Sequence, residues 1–400
     1  MTKTERKYTN TRGGSRSRPH IALLIETSLA PGRDILRGIA RYVREHHPWG
    51  LYHEAHGLDD RAPTWLSRWR GDGVIARIQS PQVARAIASS GLPVVDVLGT
   101  VGGLPYPLVH VDNGAIARKA AGHLLERGLR HFGFFGIEGE NWSEERYAAF
   151  CAAVAPGQDG LSHVPSYQLP RDVLNRRSWE QVENRLARWV AALPKPVGIF
   201  VCSDQRGPQF LEACRRAGVA VPEDVAVVSV DNDEPLCEVC SPPLSSIDAT
   251  HTAVGYEAAA LLDKLLHGVV APKKPVLIAP ERVITRLSTQ MLAVGDPAIG
   301  SALQMIREHA HEGLHVDAIA RHAGLSRSVL QRRFRSELKR SVHQEILAVR
   351  IERARELLIK SNLPLAIVAE RAGFRHQEYM GAVFKAHLGI TPAKVRRVGV

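Results

Sequence analysis

From residue 20 to about residue 285, short unbroken apolar runs alternate with stretches whose apolar residues recur at helical spacing. The runs are IALLIET (21–27), DGVIARI (72–78), LPVVDVLG (92–99), PLVHVDN (107–113), HFGFFGI (131–137), VGIFVCSD (197–204) and VAVVSVDN (225–232). Between them the spacing predicts helices from Ile35 to Val43, from near Pro81, over Ala115–Arg127, and near 144–154, 179–192, 206–217 and 252–266. Continuous apolar strands alternating with helices specify parallel sheet covered on both faces. About 265 residues is too much for one open sheet of this kind and suits two similar lobes, with crossovers expected near 128–131, 246–250 and 275–280.

The pattern changes in the last hundred residues, where one helix-turn-helix phrase occurs twice. VDAIARHAGLSRSVLQRRFRSEL (316–338) and LAIVAERAGFRHQEYMGAVFKAHL (365–388) share A-x-x-A-G: Ala320, Ala323 and Gly324, then Ala369, Ala372 and Gly373. A helix closing on a small residue and Gly, then a turn and a basic helix, is how a chain presents a recognition helix to the DNA major groove. In the first phrase Leu330, Phe334 and Leu338 form the apolar stripe, and the opposite face holds Arg327, Ser328, Gln331, Arg332 and Arg335. Arg suits guanine and Gln suits adenine in the groove. In the second phrase Met380 and Phe384 form the stripe, while Arg375, His376, Gln377 and Glu378 open the helix. Phe334 falls ten residues after Gly324 and Phe384 eleven after Gly373, so the two turns should differ. Between the phrases, residues 342–358 read as one amphipathic helix, which at about 1.5 Å per residue would span roughly 25 Å.

Charge follows the same division. Residues 301–400 carry 18 Lys+Arg against 9 Asp+Glu, a balance of +9 within the chain's +11. Residues 1–20 carry 6 against 1, which leaves about −3 for everything between. Basic charge gathered at the two ends fits phosphate contact better than a merely solvated helical face. With these phrases goes the closing FKAHLGITPAKVRR, in which Phe384, Gly389, Thr391, Pro392 and Arg396 fit F-K-x-x-x-G-x-T-P-x-x-[YF]-R. The segment resembles the DNA-binding domain of the arabinose-regulator (AraC/XylS-type) family. Met380 and Val395 stand where that family usually has aromatics; both are expected to be core substitutions away from the DNA-reading face.

The N-terminal MTKTERKYTNTRGGSRSRPH lacks the apolar stretch of a signal peptide and reads as a disordered basic arm over residues 1–19. No apolar run reaches 18 residues, so no membrane span is expected and the chain reads as cytoplasmic. Five cysteines, Cys151, Cys202, Cys214, Cys237 and Cys240, make no disulfide framework. Cys237 and Cys240 form a C-x-x-C without a second Cys/His pair at zinc-like spacing, so no metal is expected.

In open parallel sheets, chemistry gathers at the carboxyl ends of the strands. Those ends hold Glu26, Thr27 and Ser28, then Arg77, Asp112 and Asn113, Ser203 and Asp204, and Asp231, Asn232 and Asp233; Arg146 follows Trp142 on a helix. Carboxylates, amides and Arg beside an aromatic ring suit sugar hydroxyls and the apolar sugar face. Any one Asp or Asn there could instead cap the next helix. No Gly-rich phosphate loop follows any of these strands, which disfavours nucleotides as ligand or cofactor. Asp204 and Asp231 could be imagined as an acid/base pair, but nothing sets a nucleophile or metal beside them, and no catalytic residue is expected.

The phrases VDNGAIARKAAGHLLERGLRHFGFFG, EERYAAF, IFVCSDQRGPQFLEACRRAGVAVPEDVAVVSVDND and SPPLSSID resemble the lactose-repressor-type and periplasmic sugar-binding core. That resemblance implies effector contacts at Arg146, Ser203, Asp204 and Asp231; apart from it, Arg33, Arg77 and Asp112 are the next candidates, on the other lobe. Residues 1–19 carry no helix-turn-helix phrase, so the N-terminal DNA-binding helices of that family are not expected here. A sensor of this type joined to a C-terminal AraC-type module resembles the family of xylose-operon regulators. The expected architecture is therefore a two-lobed periplasmic-binding-protein-like α/β domain (20–285), a linker (286–298) and an all-α DNA-binding domain (299–400). The resemblance implies a transcription regulator responsive to D-xylose or a related aldose, with no cofactor, a homodimer on operator half-sites that would contact RNA polymerase if it activates. Arg327, Ser328, Gln331, Arg332, His376 and Gln377 would read bases, Arg335 and Arg375 would contact DNA beside them, and Lys394, Arg396 and Arg397 would hold phosphates. A non-regulatory sugar-binding protein and a carbohydrate-acting enzyme are the alternatives.

Overall fold

A computed structural model describes residues 18–46, 48–55, 57, 63–154, 164–170, 179–290, 296–361 and 363–398. The basic arm thus lies almost wholly outside the described residues, as do 291–295 of the expected linker. The chain forms two compact units, residues 1–290 and 291–400.

The first unit has two lobes. In the first, β1 (His20–Leu24), β2 (Gly50–His53), β3 (Gly73–Ala76) and β4 (Val94–Asp96) make a parallel sheet in the order β2-β1-β3-β4. β1 and β3 are central and almost wholly buried, as their apolar runs demand, whereas the edge strand β2 keeps Leu51 and Tyr52 exposed. β5 (Val109–Val111) adjoins β4 through a single bridge between Asp96 and Leu108. α1 (Ala30–Glu45) packs against a late helix, α8 (His251–Leu266), and the approach is close because Gly38 and Gly255 face backbone of the opposite helix. A Cβ on Gly38 would lie 2.0 Å from the Thr252 carbonyl, so only Gly fits there.

The second lobe is a six-stranded sheet in the order β12-β10-β9-β8-β6-β7. Its strands are β6 (His131–Ile137), β7 (Ser166–Leu169), β8 (Val197–Val201), β9 (Val225–Val230), β10 (Ser245–Ile247) and β12 (Val283–Ile284). All pairs are parallel except β10 with β12. α3 (Asn113–Leu125), α4 (Asn141–Val154), α5 (Trp179–Ala192) and α6 (Gly207–Ala217) cover it, and the short α7 (Glu234–Val239) follows β9.

The chain crosses between lobes three times. α3 packs on α4 and on the second sheet, so the first crossing lies at Asp112–Asn113 and not at the expected 128–131. The second lies at 248–250, before α8 returns to the first lobe. β11 (Val276–Ile278) pairs with β5 while β12 pairs with β10, which puts the third crossing at 279–282. There the backbones of Asp248 and Glu281–Arg282 are hydrogen-bonded to each other, so two crossings run as one ribbon. The expected linker also begins too early. Ser288 donates to the Val227 carbonyl (2.6 Å) and Thr289 bonds His123 (2.8 Å), tying this stretch into the first unit through Gln290.

The second unit is helical: α9 (Pro297–His309), α10 (Val316–His322), α11 (Arg327–Leu338), α12 (Val342–Lys360), α13 (Leu365–Arg371), α14 (Gln377–Leu388) and α15 (Pro392–Val398). Two cores share α12: Val342 and Ile346 pack with Leu330 and Phe334, while Ile351, Ala354 and Leu358 pack with Met380, Phe384 and Val395. Ser341 starts α12 with a capping box, its side chain on the Gln344 amide and the Gln344 side chain on its own. The unequal turns have a simple origin. α11 starts at Arg327, three positions past Gly324, and α14 starts at Gln377, four past Gly373.

Candidate ligand cavity and nucleic-acid interface

A cavity of about 470 Å³ opens between the two lobes of the first unit, at the carboxyl ends of their strands. Ser28, Leu29, Ala30, Pro31, Arg77, Gln79, Leu98, Thr100, His110 and His251 line it from one side. Ile137, Glu140, Trp142, Arg146, Ser203, Asp204, Gln205, Arg206, Asp231 and Asp233 line it from the other. The strand-end residues of the two sheets therefore converge, as parallel topology requires.

Arg146 is buried, its Nε donating to Asn113 Oδ1 (2.9 Å) and Nη1 to the Cys202 carbonyl (2.5 Å). Its guanidinium lies over the Trp142 ring, 5.0 Å from the centroid. Asn113 in turn donates to Glu145 (2.8 Å), so the guanidinium is held in place from both ends. Trp142 Nε1 donates to Glu140 (3.0 Å), which fixes the indole as one apolar wall.

Asp204 is almost wholly buried and its oxygens are fully engaged. Oδ1 accepts from Ser229, beside it on β9, and from Ser246 on β10 (2.7 Å). Oδ2 accepts from the Asp233 amide (2.7 Å) and the Cys237 thiol (3.3 Å). Ser229 and Ser246 are register partners on adjacent strands, so one carboxyl bridges both. This alters the sequence expectation. Asp204 anchors the Asp231–Asp233 segment rather than offering free lone pairs to a ligand. Burial, and then the Asp231 carboxylate, push its pKa up to about 7. Asp231 itself sits at φ 107, a region L-residues rarely adopt, and bonds His251 Nε2 through Oδ1 (3.0 Å). Asn232, also at positive φ, accepts from Arg286 (2.9 Å).

On the first-lobe side Arg77 is ion-paired with the buried Glu26. Arg33 donates to the carbonyls of Thr27 (2.9 Å) and Ser28 (3.0 Å) and reaches across to Asp233 at 3.4 Å. It therefore ties the lobes together and stands outside the cavity lining. Asn141 makes a further bond between lobes, to the Gly99 carbonyl (2.7 Å). Asp112 does not belong to the cavity: its side chain caps α3 through the Ala115 amide (2.8 Å), the plain alternative for an Asp at a strand end. Sequence reasoning missed His110, His251, Glu140, Gln79 and Thr100. His110 carries the one local signal, a polar residue between Val109 and Val111 in an otherwise apolar strand.

The raised pKa of Asp204 has a pH consequence with a definite sign. An acid whose folded pKa exceeds its unfolded value contributes stability fully below about 4, which is lost as pH rises through about 7. Asp96, raised to about 6 by burial, has the same sign. His110 and His123, held to about 3 by burial, act oppositely, favouring the fold above their ordinary range and losing that contribution in acid. We therefore expect wild type to lose melting temperature relative to Asp204→Asn as pH rises from 5 to 8. Parallel curves would contradict the raised pKa of Asp204.

In the second unit Arg327, Ser328, Gln331, Arg332 and Arg335 are exposed on α11, whose Leu330 and Phe334 are buried in the first core, and Ser328 and Arg332 lie farthest round the helix from that stripe. Arg327 makes an exposed pair with Asp317 (3.2 Å). Arg375, His376 and Gln377 are exposed at the start of α14, and Lys394 and Arg397 are exposed on α15. Arg396 is different. It is half-buried and donates to the Leu363 carbonyl (2.5 Å), so it fastens α15 to the turn before α13 and is not placed to hold phosphate. Met380 and Val395 are fully buried in the second core, away from that surface.

Cys237 and Cys240 are free thiols with pKa values raised by burial. No cluster of three or more His, Cys, Asp or Glu that could hold a metal exists among the described residues, and no described helix is long and apolar enough to cross a membrane.

Comparison with known proteins bears on both units. Residues 20–111 match the XylR N-terminal domain, 121–289 a periplasmic binding protein-like domain and 319–398 a helix-turn-helix domain. The xylose operon regulatory protein of Escherichia coli K12 is 33% identical, over 95% of this chain and 97% of its own length. That of Haemophilus influenzae is 30% identical over 94% and 97%. The solved structure of a xylose-binding transcription activator, XylR, superposes with a TM-score of 0.81 at 32% identity, covering 96% of this chain and 99% of that one. Likeness of this extent, through sensor lobes and helix-turn-helix unit alike, makes the chain a member of the xylose operon regulatory protein family.

Proposed function

We propose that this sugar-responsive DNA-binding regulator takes D-xylose or a closely related aldose as its effector. We further propose that it acts as a homodimer on repeated half-sites and contacts RNA polymerase as an activator. The observation that carries the reading is the inter-lobe cavity of about 470 Å³, with a positioned carboxylate, a buried guanidinium and an indole wall. Both buried guanidiniums on the cavity are already held, Arg77 by Glu26 and Arg146 by Asn113 and the Cys202 carbonyl. With Asp231, Asp233 and Glu140 also lining it, the cavity favours an uncharged polyol over a sugar acid or phosphate. Arg146 and Asp231 take the contacting roles, Ser203 borders them, and Asp204 positions Asp231. Arg327, Ser328, Gln331, Arg332, Arg335, Arg375, His376 and Gln377 face the bases, with Lys394 and Arg397 on phosphates.

Ligand between the lobes favours the closed state, and a dimer built on those lobes would re-space its DNA-reading units. Calorimetric titration of the full chain against D-xylose, other aldoses, xylonate and a sugar phosphate tests the reading. We expect binding of a neutral aldose without conversion of the sugar. Tighter binding of the anions, or repeated turnover seen by chromatography, would overturn it.

A further inference from the structure

We propose that His110 is a ligand contact that sets which sugar the cavity accepts, hydrogen-bonding one hydroxyl from the β5 side; the proposal rests on the sugar-sensor reading above. His110 lines the cavity, yet both its ring nitrogens are shut off from solvent and without a hydrogen-bond partner. The backbone of Val97 is a hydrogen-bonding neighbour of the ring, but no bond of normal geometry joins them. A polar side chain left so is costly, and between the fully buried Val109 and Val111 an apolar residue would pack at less cost.

Other unmatched polar atoms belong to the same side: Glu26 Oε2 and Arg77 Nε are also buried and unbonded. The opposite side is different, since the protein itself satisfies both oxygens of Asp204. Burial, with the charges of His251, Arg146 and Arg77 around it, keeps the ring neutral across physiological pH. A neutral imidazole offers one donor and one acceptor, the complement of a hydroxyl. Rotation about Cβ–Cγ, a soft torsion in His, would turn a nitrogen toward the cavity.

The test measures dissociation constants of the full chain and of His110→Ala and His110→Gln for D-xylose, its epimers and its monodeoxy analogues. We expect His110→Ala to weaken D-xylose about tenfold or more. One deoxy analogue should lose affinity on wild type and lose nothing further on His110→Ala, as a shared bond requires. His110→Gln should fold and change the ranking of the epimers. An unchanged ranking, or the same loss for every analogue, would overturn the proposal by making His110 a packing residue. Failure of wild type to bind any aldose would sink the sugar reading, and this proposal with it, before any variant is compared.

Discussion

Asp231→Gly is expected to abolish the sugar response while leaving the thermal stability of the first unit unchanged or raised. Asp231 holds φ 107 although it is not Gly, a conformation costing of order 1–3 kcal/mol that persists only where the surroundings enforce it. Those surroundings are visible. Its amide donates to the Ile247 carbonyl (3.0 Å), its carboxylate bonds His251, and the next two residues are fixed by Ser246 and Asp204. Gly adopts positive φ freely, so the strain relieved offsets the roughly 1 kcal/mol of the lost His251 bond. Sugar binding has no such compensation. Removing an acceptor from a polar cavity leaves ligand hydroxyls unpaired, a loss of about 1–3 kcal/mol or more. Asp231→Ala should lose the sugar equally but melt lower than Asp231→Gly, because it keeps a Cβ at the same φ. Calorimetry, thermal melts and DNA titration of both variants separate the effects, and basal DNA binding should survive in each. Normal sugar affinity in Asp231→Gly would mean the contacts are misplaced, with Arg77 next in line.

Gly373→Ala is expected to disable the second unit and spare the first. Gly373 sits at φ +83, and a Cβ there would lie 2.6 Å from His311 Cα and 2.9 Å from the Ala310 carbonyl oxygen. Both are backbone atoms, and that carbonyl already accepts from Arg350 of α12 (2.7 Å), so the neighbour cannot retreat. The left-handed conformation costs an L-residue about 1–2 kcal/mol, and overpacking typically adds about 1–3. Gly324, its counterpart at φ +65, has nothing within 4 Å of a built Cβ, so Gly324→Ala should cost only the conformational part. We expect Gly373→Ala to lose DNA binding and the helical unit's melting transition while retaining sugar affinity, and Gly324→Ala to weaken both only modestly. Equal effects of the two substitutions would contradict the packing at the second turn.

The contrast between these two glycines marks what sequence can carry. The A-x-x-A-G phrases announce both turns and the stripe of each recognition helix, because period and turn chemistry are local. That Gly373 leans on Ala310–His311 is a contact over some sixty positions, and no local pattern encodes it. The apolar strands were legible for the same reason, whereas β2, β7 and β10 were not: GLYH and SYQL are edge strands of mixed polarity, and SSI is buried Ser. Within the site, Arg146 and Asp231 were visible as strand-end or motif residues. Asp112 and Arg396 misled because a cap and a backbone anchor use the same residue types as a binding site. The anchoring role of Asp204 depends on Ser229 and Ser246 meeting across two strands, which only register reveals.

Coupling between sugar binding and DNA binding is measured most directly by linkage. The full chain would select its own DNA fragment from a random pool, and the affinity for that fragment would then be titrated with and without saturating D-xylose. We expect a change of about 5- to 150-fold, on the order of 1–3 kcal/mol, and the same factor in sugar affinity when the DNA is bound. Sugar that binds the first unit yet leaves DNA affinity the same at every concentration would contradict it.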